Sequence, residues 1–192
     1  MSDITKDRAD ELLQALGEQL GARGERYELV VIGGSALLAL GLVERTTKDV
    51  DIVALRSDAG LDSADPLPPG LRAAGDLVAR DFGLAAEWLN PGPAGLLTFG
   101  LPEGFTDRLE RREYGPGLVI YLASRYDQIH FKLYAAVDQG PGKHEQDLLA
   151  LGPTETELIA AARWSRSQDP SEGYAQVLQG ALESFGVKNV DL

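Results

Sequence analysis

Two short stretches of the sequence carry residue types at a spacing that could do specific chemistry. Gly33-Gly34-Ser35 closes the apolar run YELVVIG and opens the helix-forming ALLALGL, and Asp49-Val50-Asp51 opens DVDIVAL fourteen residues after the serine. In a strand, side chains at i and i+2 point to one face, so Asp49 and Asp51 are expected side by side, spaced to share a divalent cation. Two hard anionic oxygen ligands suit Mg2+, for which Mn2+ could substitute. A glycine turn leading into a helix lets a ligand approach the backbone closely, and Ser35 adds a hydroxyl, so Gly33, Gly34 and Ser35 read as a phosphate-binding turn. A turn that grips phosphates beside a pair of carboxylates that holds a metal is the equipment of in-line phosphoryl chemistry.

Those residues need a scaffold of buried strands and covering helices. Ile4, Ala9, Leu12, Leu13, Leu16 and Leu20 recur at helical spacing and predict a helix over 4–20, stopped by Gly21 and Gly24. Tyr27 to Gly33 predicts a buried strand, and DVDIVAL a second strand paired with it. RSDAGLDSADPLPPG reads as a long surface loop, residues 71–82 as a helix, and LAAEWL as a third strand ending in the turn NPGPAG. Residues 96–117 suggest a helix with a flanking hairpin, in which Arg108, Arg111 and Arg112 would lie on a solvated helix face. GLVIYLAS reads as a strand and Ser124 as the cap of a helix RYDQIHFKLYAAVDQ; three more helices follow, the second opened by a Thr154/Glu157 capping box. The expected fold is α/β (α+β), a mixed sheet flanked by helices with a helical C-terminal part. Residues 1–150 form the core and 151–192 a helical segment packed on the same domain.

Composition narrows the partners. With 30 acidic against 18 basic residues the net charge is -12, so the molecule as a whole does not attract a phosphate backbone, and nucleic-acid contact must be local. The chain has no cysteine, which excludes disulfides, thiolate metal sites and cysteine nucleophiles. Neither a signal-peptide core nor a membrane-span-length apolar run occurs in the sequence, and the default expectation is a cytoplasmic protein without membrane contact.

Gly34-Ser35 followed by Asp49-Val50-Asp51 resembles the hallmark of the nucleotidyltransferase superfamily, a GG or GS turn and a D-x-D pair on the next strand. Lys132 in DQIHFKLYAA and Asp147 in GKHEQDLLAL are similar to the lysine and aspartate motifs of its AbiEii/MenT branch, which includes nucleotidyltransferase toxins of toxin-antitoxin systems. The resemblance covers roughly residues 27–150. It implies transfer of NMP from an NTP such as ATP to a hydroxyl acceptor, with tRNA as the toxin-type acceptor and an antitoxin as protein partner. It also implies that Asp49 and Asp51 bind the metal, that Ser35 and Lys132 hold the triphosphate, and that Asp147 is an active-site carboxylate, as general base or as electrostatic support for Lys132. Glu87 is the one candidate for a third metal carboxylate of the kind many relatives carry.

On residue pattern alone, Lys132 reads as a surface lysine and Asp147 as an i, i+4 partner of Lys143. Two other functions compete with the leading one: a non-catalytic binding or regulatory module on the same fold, and a small-molecule transferase of the antibiotic-modifying kind, whose cationic acceptors the charge of -12 would favour.

Overall fold

Helical spacing of leucines and continuous apolar strands set the architecture seen in a computed structural model, which describes residues 3–140, 142–188 and 190–191. The chain divides into two compact units, Met1–Thr98 with Thr106–Ala123, and Phe99–Phe105 with Ser124–Leu192.

The first unit is a mixed sheet with helices on it. Its strands are β1 (Tyr27–Ile32), β2 (Val50–Ser57), β3 (Gly60–Asp62), β4 (Leu89–Asn90), β5 (Glu110–Tyr114) and β6 (Leu118–Leu122), and its helices are α1 (Lys6–Ala22), α2 (Gly33–Ala39) and α3 (Pro69–Phe82). The sheet runs β3-β2-β1-β6-β5, with β4 on β2. β1 is central: it pairs antiparallel with β2 and parallel with β6. Leu29 and Val31 of β1, Ile52 of β2, and Leu118, Ile120 and Leu122 of β6 share one face and enter one apolar core with Leu12, Leu16 and Leu20 of α1 and Leu71, Ala74 and Val78 of α3. Each fully buried leucine there contributes about 1.5–3 kcal/mol. α1 lies close on the β5–β6 turn, because Gly17 has no side chain: a Cβ at that position would sit 1.7 Å from the Tyr114 carbonyl oxygen. Tyr114 in turn donates to Asp10 of α1 at 2.7 Å, and burial, with that hydrogen bond, pushes its phenol up to about 12.

Three predicted features differ. The surface loop after β2 is a hairpin at its start, where Arg56 and Leu61 face each other across the ladder and Ser57 Oγ donates to Asp62. The strand expected over LAAEWL is reduced to Leu89–Asn90, because residues 85–88 turn to bury Trp88, whose Nε1 donates to Gly75 O at 3.0 Å. The arginine cluster forms a strand and not a helix: Arg112 pairs with Glu110 and Arg111 with Glu113, i and i+2 partners that only an extended chain places on one side. Arg108 ends a short 3-10 turn before it.

The second unit is helical: α4 (Arg125–Gln139), α5 (Lys143–Ala150), α6 (Glu155–Gln168) and α7 (Glu172–Ser184). The predicted caps hold. Ser124 accepts from Asp127 N, and Thr154 and Glu157 form the capping box. Trp164 of α6 meets Phe131 and Tyr134 of α4 edge to face, at centroid separations of 5.4 and 6.0 Å. Among the described residues no helix is long and apolar enough to cross a membrane.

Glu157 also ties α6 to α4, accepting from the Arg125 guanidinium at 2.7 Å and from the Thr154 backbone at 2.8 Å. Arg125, foremost, holds the Glu157 carboxyl at about 2, well below the usual 4.5. Because the folded value lies below the unfolded one, this stabilisation is complete above the unfolded pKa and disappears as pH falls through the folded one. The stability gap between wild type and Glu157→Gln, read from urea unfolding, is expected to stay constant from about pH 8 to about pH 6 and to shrink between about pH 4.5 and about pH 2.

Candidate active site

β1 ends opposite the start of β2, with Ile32 paired to Asp51, and the chain turns at Gly33 directly into α2. Val31 and Ile52, the neighbouring pair, belong to the apolar core, so Ile32 and Asp51 face the other side of the sheet. Gly33 is required there twice over. Its φ is +73°, and a Cβ on it would lie 2.1 Å from Asp51 Oδ2. The glycine turn and the second aspartate are thus in direct contact. Gly34 is packed nearly as closely, its absent Cβ facing Thr47 Oγ1 at 3.0 Å and the Arg45 guanidinium at 3.2 Å.

The two aspartates are oriented by donors on different elements. Asp49 immediately precedes β2, and its Oδ1 accepts from Thr47 Oγ1 at 3.2 Å. Thr47 is itself fixed by a pair of backbone hydrogen bonds with Ile4, at 2.7 and 3.1 Å. Asp51 Oδ1 accepts from Asn90 Nδ2 at 2.7 Å, across the β2–β4 ladder in which Asp51 and Asn90 are partners. Gly92 N–H donates to Asn90 Oδ1 at 3.0 Å, which turns the amide's donor end toward Asp51. Glu87 is exposed in the turn before β4, and the side chain beside Asp51 is the amide of Asn90. Among the described residues no group of three or more His, Cys, Asp or Glu is arranged to hold a metal.

Ser35 is 5% exposed, and its Oγ finds no hydrogen-bond partner among the described residues. Leaving a buried hydroxyl unsatisfied costs about 1–3 kcal/mol, the kind of cost that is retained where a ligand completes the bond. That orphan hydroxyl, the cradle that a Cβ on Gly33 would fill and the all-oxygen donor set of Asp49 and Asp51 fit a phosphate ligand and a hard divalent cation.

Lys132 and Asp147 lie in the second unit. They are 3% and 2% exposed and form an ion pair of 2.8 Å between α4 and α5. Burial rules out the surface-lysine reading, and the partner of Asp147 is Lys132 rather than Lys143. The motif residues singled out by resemblance are thus partners of each other.

Comparison with protein families matches residues 10–142 to the family described as "Nucleotidyltransferase of unknown function (DUF6036)". The chain belongs to this family. The match includes Gly33, Gly34, Ser35, Asp49, Asp51, Asn90 and Lys132, and Asp147 lies beyond its end. The mixed sheet, flanked by helices and followed by a helical C-terminal part, is consistent with the nucleotidyltransferase fold. Neither the curated proteins nor the solved structures gave a match.

A cavity of about 780 Å3 opens elsewhere in the first unit, between Tyr27 and Glu28 at the start of β1 and Arg56 and Asp58 at the end of β2. None of the predicted site residues lines it. Asp51, by contrast, pairs with the last residue of β1, so cavity and aspartate mark opposite ends of the strand. Thr47 and Asn90 were not singled out from the sequence, since each lies in a turn-like stretch and acquires meaning only through its hydrogen bond.

Gly33→Ala is expected to destabilise the protein by at least about 2 kcal/mol in urea unfolding, from the left-handed backbone and the contact with Asp51 together. In an Asp51→Ala background the same substitution costs measurably less, because the contact part is gone while the backbone part stays.

Proposed function

We propose that the chain transfers a nucleoside monophosphate from an NTP to a hydroxyl acceptor, with the first unit's glycine turn and aspartate pair as the nucleotide and metal site. The observation that carries this reading is the buried Ser35 hydroxyl, unpartnered among the described residues, on a turn whose Gly33 abuts the Asp51 carboxylate. In this reading Ser35 Oγ donates to a triphosphate oxygen, and Gly33 and Gly34 let the backbone approach it. Asp49 and Asp51 would hold Mg2+ or Mn2+, and the bound ion would supply charge neutralisation at the α-phosphate. With two carboxylates as ligands, the remaining positions fall to substrate phosphates and water, as is usual for Mg2+ in phosphoryl-transfer sites. The leaving group is pyrophosphate, and the acceptor hydroxyl gives up its proton as the phosphoester bond forms.

The finer assignment is to the AbiEii/MenT-like branch, with tRNA as acceptor, supported by the Lys132 and Asp147 motifs. In that assignment Lys132 supplies positive charge for the triphosphate. Asp147, already accepting from the ammonium at 2.8 Å, fits the role of its electrostatic support better than that of a free base. The net charge of -12 favours a second acceptor class, small cationic molecules.

Purified protein incubated with magnesium and each α-labelled NTP, with and without total tRNA, is expected to transfer label, and Asp49→Ala and Asp51→Ala to lose at least about a hundredfold in rate while staying folded. Substantial turnover in either folded variant contradicts the reading; NTP binding without transfer to any acceptor would instead favour a binding module. Ser35→Ala gives a sharper signature. It is expected to raise the unfolding midpoint or leave it unchanged, because an unsatisfied group is removed, while weakening NTP binding about tenfold or more.

A further inference from the structure

Each aspartate of the pair has its own hydrogen-bond donor, and the two donors come from separate parts of the chain. Thr47 Oγ1 reaches Asp49 Oδ1 at 3.2 Å from a residue tied by its backbone to Ile4, and Asn90 Nδ2 reaches Asp51 Oδ1 at 2.7 Å from the short strand β4. Both donors are held from behind. Thr47 is 8% exposed and packed against Gly34, and the Asn90 carbonyl is engaged by Gly92 N–H at 3.0 Å. In each carboxylate one oxygen, Oδ1, is engaged by its donor, and on Asp51 the other oxygen, Oδ2, lies against Gly33 of the glycine turn. A carboxylate with one oxygen fixed by a neutral donor keeps its charge and loses rotational freedom, which is how outer-shell groups orient metal ligands.

We propose that Thr47 and Asn90 are positioning residues that hold Asp49 and Asp51 in the geometry of a divalent-cation site. The inference rests on the metal role given to the two aspartates above. It also gives β4 a purpose. Two residues of strand add little to a sheet, but they deliver Asn90 to the ladder position opposite Asp51. Because the side chain there is an amide with its donor end toward Asp51, Asn90 adds no negative charge and the pair stays a two-carboxylate site.

The test is a titration of the full chain with Mn2+ alone, following the free-ion signal by electron paramagnetic resonance, beside thermal unfolding of each variant. Thr47→Val keeps the shape against Gly34 and removes the hydroxyl; Thr47→Ser restores it. Asn90→Ser keeps an acceptor for Gly92 N–H but is too short to donate to Asp51. Wild type is expected to bind Mn2+ and Asp51→Asn to lose it. Thr47→Val and Asn90→Ser are each expected to bind about tenfold more weakly, with Thr47→Ser near wild type. If wild type binds and Asp51→Asn does not, yet Thr47→Val and folded Asn90→Ser match wild type, the positioning roles are overturned and the metal site stands. Failure of Thr47→Ser to recover affinity overturns the role of the Thr47 hydroxyl. An absence of Mn2+ binding by wild type overturns both the metal role of the aspartates and this inference. Should Asn90→Ser not fold, the Thr47 pair decides the matter.

Discussion

The contact between Gly33 and the Asp51 carboxylate is the constraint on which the first unit's site depends. The backbone at Gly33 has φ of +73°, and there is room for hydrogen but not for carbon against Asp51 Oδ2. With any other residue, either the turn from β1 into α2 or the aspartate would have to move. Ile32 and Asp51 are ladder partners, so the turn cannot retreat from the carboxylate without breaking the pairing of the two central strands. Sheet register, helix start and acid placement are therefore one structural decision.

One polar group beside that contact carries a folding cost of its own. Ser35 is buried and its hydroxyl has no hydrogen-bond partner among the described residues, and two carboxylates close in sequence are each oriented by a neutral donor. A buried hydroxyl of this kind is retained where a ligand completes its bonding. A phosphate fits the Ser35 hydroxyl and a hard cation fits the two carboxylates, the ligands of the nucleotidyl transfer we propose. In the second unit the buried Lys132–Asp147 pair is of a different kind, since each charge there already has its partner. Removing either partner would leave an uncompensated buried charge, which costs about 3–5 kcal/mol, so loss of activity in such variants has to be separated from loss of fold.

Much of this was legible in the sequence because periodicity and turn chemistry act locally. The run YELVVIG, the Gly33-Gly34-Ser35 turn and the Asp-Val-Asp start of β2 each announced themselves, as did the Ser124 and Thr154 caps. What could not be read depended on partners far along the chain. ERREY looked helical through its charge density, whereas its i, i+2 ion pairs and its ladder with β6 make it a strand. Asn90 sits 39 positions from Asp51, in a stretch that otherwise signals only a turn, and Thr47 owes its place to a backbone pairing with Ile4. The burial of Lys132 was hidden for the same reason: a lysine on an amphipathic helix reads as solvated until its acidic partner is located on the next helix.

The most direct test of the account is anomalous diffraction from crystals grown with Mn2+ and an α,β-methylene NTP. Manganese coordinated by Asp49 and Asp51, with a phosphate oxygen within hydrogen-bond reach of Ser35 Oγ, is the expected result. Manganese away from both aspartates, or a nucleotide seated instead in the cavity between Tyr27 and Arg56, would contradict it.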